Sequence, residues 1–129
     1  MQRVYDFLKE AKTYYLCTVD NGIPRVRPFG TVDLYDGKIY IQTGKVKDCS
    51  KQMAANPNIA ICAMGPGGWI RINAEAVNDD SREAKGHMLE AYPHLKKMYA
   101  PDDDNTQVLY LKNARAELNK GQDKIIIEF

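Results

Sequence analysis

Between Pro24 and Lys51, six basic side chains (Arg25, Arg27, Lys38, Lys45, Lys47 and Lys51) stand against three acidic ones (Asp33, Asp36 and Asp48). An arginine fork grips an oxyanion with two parallel hydrogen bonds, and a lysine adds a mobile point charge. Arg25 and Arg27 fall two residues apart, on one face of a strand-like segment. Thr43-Gly44 then closes the next strand-like run where a helical pattern opens. Free backbone N–H groups at a helix start form a natural anion site, and a small residue lets a ligand approach closely. Lys45 and Lys47 fall in or just before that first turn, where cations oppose the helix dipole. A bound phosphate removes the conflict, and Lys51, one turn on from Lys47, adds a third charge. Charge alone leaves a second reading equally open, in which the lysines are a solvated helix face and the arginines surface residues. There is no GxGxxG after a strand and no GxxxxGK[ST] loop, so the usual dinucleotide and triphosphate motifs are missing.

The remaining reactive side chains are less organised. His87 and His94 lie seven apart with Pro93 between them and no obvious carboxylate partner, and they read as surface or packing residues rather than a metal site. Cys17 and Cys62 fall in apolar strands and read as packed thiols. Cys49 lies near the basic helix start, where a thiol gains reactivity, but core packing beside Val46 and Met53 is the simpler role. Asp102 to Asp104 lack the spaced ligands and glycine of a calcium loop and read as solvated. Trp69 fits the core, a ligand face or an interface equally well. Tyr92, Tyr99 and Tyr110 read as packing residues. No paired carboxylates and no Ser/His/Asp set identify a general acid or base.

The elements that must hold the basic cluster follow from periodicity and turn chemistry. Val4, Phe7, Leu8 and Ala11 predict an amphipathic helix over 2–12. Strands are predicted over Tyr14 to Val19, Arg25 to Tyr35 and Lys38 to Thr43, with turns at Asp20-Asn21-Gly22 and Asp36-Gly37. Val26, Val32 and Leu34 should share one face of the second strand, and Pro28 and Gly30 should interrupt it. Val46, Cys49, Ser50 and Met53 mark a helix ending before Pro57. Strands Asn58 to Met64 and Trp69 to Val77 flank the Gly65-Pro66-Gly67-Gly68 turn. Asp80 and Glu83 form a capping box for a helix reaching Tyr92, followed by a helical turn over His94 to Tyr99. Further strands are predicted over Gln107 to Lys112, Ala114 to Leu118 and Lys124 to Phe129. Hairpin-linked strands with a few helices point to a small antiparallel barrel.

Bulk properties narrow the classes. The chain has 129 residues, the size of one domain, with 44% hydrophobic and 27% charged residues. A net charge of +1 gives no support to a general nucleic-acid or membrane role. No apolar run has the length of a membrane span or signal peptide, and three cysteines without a CxxC form no disulfide framework. The cytoplasm is the expected compartment.

Taken in order, Arg25-Val26-Arg27-Pro28-Phe29-Gly30, Asp36-Gly37-Lys38, Ile41-Gln42-Thr43-Gly44-Lys45 and the run Lys51 to Pro57 resemble the FMN-binding split-barrel family. That family includes pyridoxamine 5′-phosphate oxidase and the nitroimidazole-resistance-like flavoproteins. The likeness runs from the N-terminal helix through Val77 and more loosely to Phe129, and looks strongest to the short oxidase-like members. It implies that Arg27 meets the FMN phosphate and that Pro28, Phe29 and Gly30 pass the isoalloxazine ring. Gln42 and Thr43 match positions contacting ring and phosphate, Lys47 and Lys51 fall in the phosphate-binding helix, and Arg71 falls near a polar position reaching the flavin. The full oxidase has an Arg-Lys pair where this chain has Asp48-Cys49, so the grip shifts to Lys45, Lys47 or Lys51. The oxidase's C-terminal arginine–histidine signature is missing from Lys124 to Phe129, which disfavours pyridoxamine phosphate oxidation. The histidine of nitroimidazole reductases is missing from Asn58 to Met64.

The expectation is a single domain over residues 1–129, mainly β with helices (α+β), built as a six- to seven-stranded antiparallel split β-barrel. The resemblance implies a homodimer with FMN in two clefts between subunits. The implied activity is an FMN-dependent oxidoreductase, with NADH or NADPH as the natural donor to a small organic acceptor. The alternatives are a non-catalytic flavin carrier or sensor, and a barrel of this fold that binds haem or a deazaflavin.

Overall fold

In the computed structural model, which describes residues 1–129, the chain opens with helix α1 (Gln2–Ala11), whose apolar stripe buries Val4, Phe7 and Leu8. Strands β1 (Tyr14–Asp20) and β2 (Ile23–Phe29) form a hairpin. Its tip, Asn21-Gly22, has φ of 51° and 81°, the left-handed pair that a two-residue reversal requires. Short β3 (Asp33–Tyr35) pairs with β4 (Lys38–Gly44) across the Asp36-Gly37 turn. Helix α2 (Asp48–Ala55) follows, then the hairpin of β5 (Asn58–Gly65) and β6 (Gly68–Asp79). Helix α3 (Arg82–Ala91) and a 3₁₀ segment Pro93–Lys97 precede the closing hairpin of β7 (Thr106–Lys120) and β8 (Asp123–Glu128).

All pairings are antiparallel, in the order β2-β1-β5-β6-β7-β4-β3 with β8 added to β7, the topology of a split β-barrel. Alternation sends Leu16, Ile41, Ile61, Ile70, Ile72, Ala116 and Leu118 inward, where they pack with the stripe of α1. No helix is long and apolar enough to cross a membrane.

Several boundaries differ from the sequence reading. The run Arg25 to Tyr35 is two strands, because the backbone leaves the sheet at Gly30 and alternation restarts at Asp33. Val26 is therefore 66% exposed while Val32 is buried, instead of the two sharing a face. Helix α2 begins at Asp48, which leaves Val46 exposed and outside the core. Ser81, not the Asp80–Glu83 pair, caps α3: its Oγ accepts from the Ala84 N–H at 3.2 Å. The two strands predicted over 107–118 are one. β7 changes partner from β4 to β8 along its length, and Asn113, at φ 50°, lies opposite the register shift between Asn73 and Glu75.

Candidate functional site

Arg27 pairs in register with Leu16, and Leu16 points into the core, so Arg27 lies on the inner face of the β1–β2 hairpin, where α2 packs on β1. There its guanidinium is half-buried and fully engaged at one edge. Nη1 donates to Thr18 Oγ1 at 2.6 Å and to the Leu16 carbonyl at 3.4 Å, and Nη2 donates to Gln52 Oε1 at 2.7 Å. All of these acceptors are neutral. Lys51, beside Gln52 on α2, lines with it a cleft of about 320 Å³ that is completed by Asp20, Asn21 and Asp48. Lys47 is the N-cap of α2, with no side chain capping the helix, and while the Ser50 N–H donates to the Lys47 carbonyl, those of Asp48 and Cys49 have no partner.

The ion pairs divide the basic cluster. Arg25 pairs with Asp20 at 3.4 Å, and Lys38 with Asp36 at 3.4 Å. Lys45 is drawn to the far side of its turn, 3.5 Å from both Asp80 and Asp104, and its N–H donates to the Asn105 carbonyl. A hydrogen bond from Asn78, with the nearby Lys45 and Lys85 charges outweighing slight desolvation, holds the Asp80 carboxyl below its usual range. Arg27 meets α2 at Gln52, in mid-helix, while Lys47 stands at the helix start and Lys51 one turn on, and none of the three charges is balanced by an ion pair.

The other predicted positions scatter around this centre. Phe29 is half-buried with its ring 5.9 Å from that of Tyr14, while Pro28 and Gly30 are exposed. Gln42 is buried: its N–H donates to Thr31 Oγ1 and its side-chain amide to the Thr43 carbonyl. Thr43 Oγ1 lies 3.4 Å from Cys49 Sγ in the interior. Arg71 lies on the outer face of the sheet, pairs with Glu117 at 3.5 Å and sits over Trp69 at 5.2 Å. Within one chain it does not meet Arg27. It does share a cross-strand row with Pro28, Tyr15 and Cys62.

Three readings of reactive residues change. Cys62 is exposed and Cys17 half-exposed, because both fall on the outer face of their strands. His87 does have a carboxylate partner: its Nδ1 lies 2.6 Å from Oδ2 of buried Asp33. Asp103 is no idle solvated acid, since it accepts from the N–H groups of Ala100, Asn105 and Thr106 and from Thr106 Oγ1. Thr18 and Gln52 were not singled out by sequence reasoning, because neither has a charge or motif. Only the docking of α2 on β1 gives them a role.

An open antiparallel barrel with helices at its rim, in this strand order, is the architecture of the small split β-barrel proteins. The family profile described as pyridoxamine 5′-phosphate oxidase matches residues 1–120, and the chain belongs to this family of FMN-binding split barrels. The crystal structure of a NimC/NimA family protein from Clostridium acetobutylicum is 42% identical, covering 100% of this chain and 93% of its own with a TM-score of 0.96. General Stress Protein 26 from Bacillus anthracis is 16% identical, covering 99% of this chain and 97% of its own with a TM-score of 0.77. A haem binding protein from Mycobacterium smegmatis is 15% identical, covering 94% of this chain and 57% of its own with a TM-score of 0.69. The last two share the fold alone. None of the curated proteins matches the chain.

Proposed function

We propose that this protein is an FMN-binding oxidoreductase, acting as a homodimer, that passes electrons or hydride from NADH or NADPH to a small organic acceptor. The observation that carries the reading is the half-buried Arg27 guanidinium held by neutral oxygens only, with Lys47 and Lys51 on or beside α2 entering no ion pair. Burying a charge without a counter-charge is unfavourable unless a ligand supplies one. Family membership makes FMN the phosphate-bearing candidate. Bound there, the flavin would supply the redox chemistry. The chain's own part is anchoring by Arg27, Lys47 and Lys51, with Thr43 and Gln42 shaping the strand end and Pro28 to Gly30 offering backbone to the ring. Lys45, tied to Asp80 and Asp104, would join the anchor only by leaving them.

The homodimer draws support from the outer sheet face, where Tyr15 is 50%, Val26 66% and Met64 72% exposed. Arg71 lies on that face and would approach a flavin held between two copies.

The test is the absorbance of purified protein after reconstitution with FMN, followed by anaerobic titration with NADH and NADPH. Flavin bands that bleach with a nicotinamide are expected. Bound FMN that no nicotinamide reduces, with any acceptor, would leave a carrier or sensor. The double variant Arg27→Ala/Lys51→Ala should lose FMN affinity by about 100-fold or more while remaining folded. Undiminished affinity in that variant rules out this anchor.

A further inference from the structure

We propose that Thr18 and Gln52 are positioning residues that reserve the Arg27 guanidinium for a phosphoryl group, and so set a preference for phosphorylated over unphosphorylated flavin. The inference rests on the FMN reading and deepens it. Arginine only donates, so the atoms facing Nη1 and Nη2 must be acceptors: Thr18 Oγ1 at 2.6 Å and Gln52 Oε1 at 2.7 Å. The Thr18 hydroxyl spends its proton on the same Gln52 oxygen, 2.5 Å away. Two oxygens so spaced, each on one terminal nitrogen, meet the end of the guanidinium as a carboxylate would. They carry no charge.

A purely structural network would be served better by glutamate at position 52, since an ionised partner makes roughly twice as strong a hydrogen bond to arginine. Glutamine keeps the geometry and leaves the positive charge unspent. Three of the five guanidinium N–H groups are engaged by Thr18, the Leu16 carbonyl and Gln52. The Nε–H and one Nη2–H remain, the side-on pair that grips an oxyanion. The mount is rigid: Thr18 is 0% exposed and Gln52 is anchored on α2. Lys51, at the adjacent helix position, lines with Gln52 the cleft beside the β1–β2 turn. The acids bordering that cleft are Asp20, already paired with Arg25, and Asp48.

The test compares FMN with riboflavin, which lacks the phosphate, by quenching of flavin fluorescence in wild type, Gln52→Glu and Thr18→Val, with melting temperatures alongside. Gln52→Glu should lower FMN affinity by about 30- to 100-fold. Its riboflavin affinity should stay within about threefold, and its melting temperature should hold or rise. Thr18→Val, isosteric but without the hydroxyl, should lower FMN affinity selectively by about tenfold, and it carries the test alone if Gln52→Glu does not fold. Unchanged FMN affinity in the variants overturns the proposal, as does an equal loss of both flavins with a lowered melting temperature. Failure of the broader reading looks different. Wild type that binds neither flavin removes both claims. Wild type that binds FMN, loses it in Arg27→Ala and keeps it in Gln52→Glu removes this inference alone.

Discussion

Asp103 shows how much a single carboxylate can organise when backbone donors converge on it. Partial desolvation raises its pKa, but N–H groups of Thr106, Ala100 and Asn105 and the Thr106 hydroxyl outweigh that and hold it at about 2, against 3.8 for a free side chain. The folded value lies below the unfolded one. The resulting stability is therefore fully present above about pH 4 and is lost as pH falls toward about 2. Because the carboxylate is exposed, screening cuts its worth to ~1 kcal/mol. Asp103→Ala should lower stability by that amount at pH 7 and by much less at pH 2, checked by urea unfolding at both pH values. The acidic run in the sequence advertised charge but not this turn, since the donors are placed only once β7 begins at Thr106. The placement of Arg27 on one strand with Arg25 was readable because two-residue spacing is local information. The fate of Lys45 was not, because Asp80 and Asp104 are brought to it by β6 and by the loop before β7.

Among the elements, the weakest by its own pairing is β3, three residues long and bonded to one neighbour. Side chains from elsewhere hold it. Tyr92 Oη accepts from the Val32 N–H and donates to the Val32 carbonyl, both at 3.0 Å, restoring the partners that the backbone loses on leaving β2. Buried Asp33 meets His87 Nδ1 on α3, whose ring packs 4.5 Å from that of Tyr35. His87→Ala removes the side chain that pairs with this buried acid, an omission that costs about 1–3 kcal/mol. Thermal melts should show this loss, and His87→Gln, which restores a donor, should recover part of it. Tyr92→Phe should also destabilise by about 1–3 kcal/mol, since it strands two backbone groups at once. The hairpin turns Asn21-Gly22 and Asp36-Gly37 were readable because a left-handed pair has a short-range signature. The break after β2 was visible only as Pro28 and Gly30, and its repair by Tyr92, sixty residues away, had no local trace. The merged β7 misled for a related reason: Asn113 looks like a loop residue, whereas its positive φ is a bend inside one continuous strand.

At the level of the whole molecule, the inner face of the sheet is covered and the outer face is not. Cross-strand rows run Pro28, Tyr15, Cys62, Arg71, Glu117, Ile126 and, next to them, Val26, Cys17, Ala60, Asn73, Arg115, Glu128. One half of this face is apolar and holds exposed Tyr15, Val26 and Met64. The other half is a charge lattice in which Glu117 accepts from Arg115 at 2.8 Å and lies 3.5 and 3.6 Å from Arg71 and Lys124. The Arg115 hydrogen bond first, then the Lys124, Arg71 and Arg115 charges, hold the Glu117 carboxyl below its usual range against slight desolvation. A two-fold axis through such a face can bury the apolar half against itself while the lattice borders it, the arrangement of an isologous interface. If two copies close over it, Val26→Asp/Met64→Asp places like charges across the axis without touching the core. Light scattering should then give the monomer mass for the variant and twice that mass for wild type. The melting temperature of wild type should rise with protein concentration while that of the variant stays flat. Flavin retention adds a sharper readout, because Arg71 and Arg27 lie on opposite faces of one chain's sheet and would serve one flavin only across two copies. The monomeric variant should keep the Arg27 anchor yet bind FMN at least tenfold more weakly, an estimate of about 1.4 kcal/mol for the missing half of the cleft. A monomeric wild type, or a monomeric variant with full affinity, would mean that each chain completes its own site.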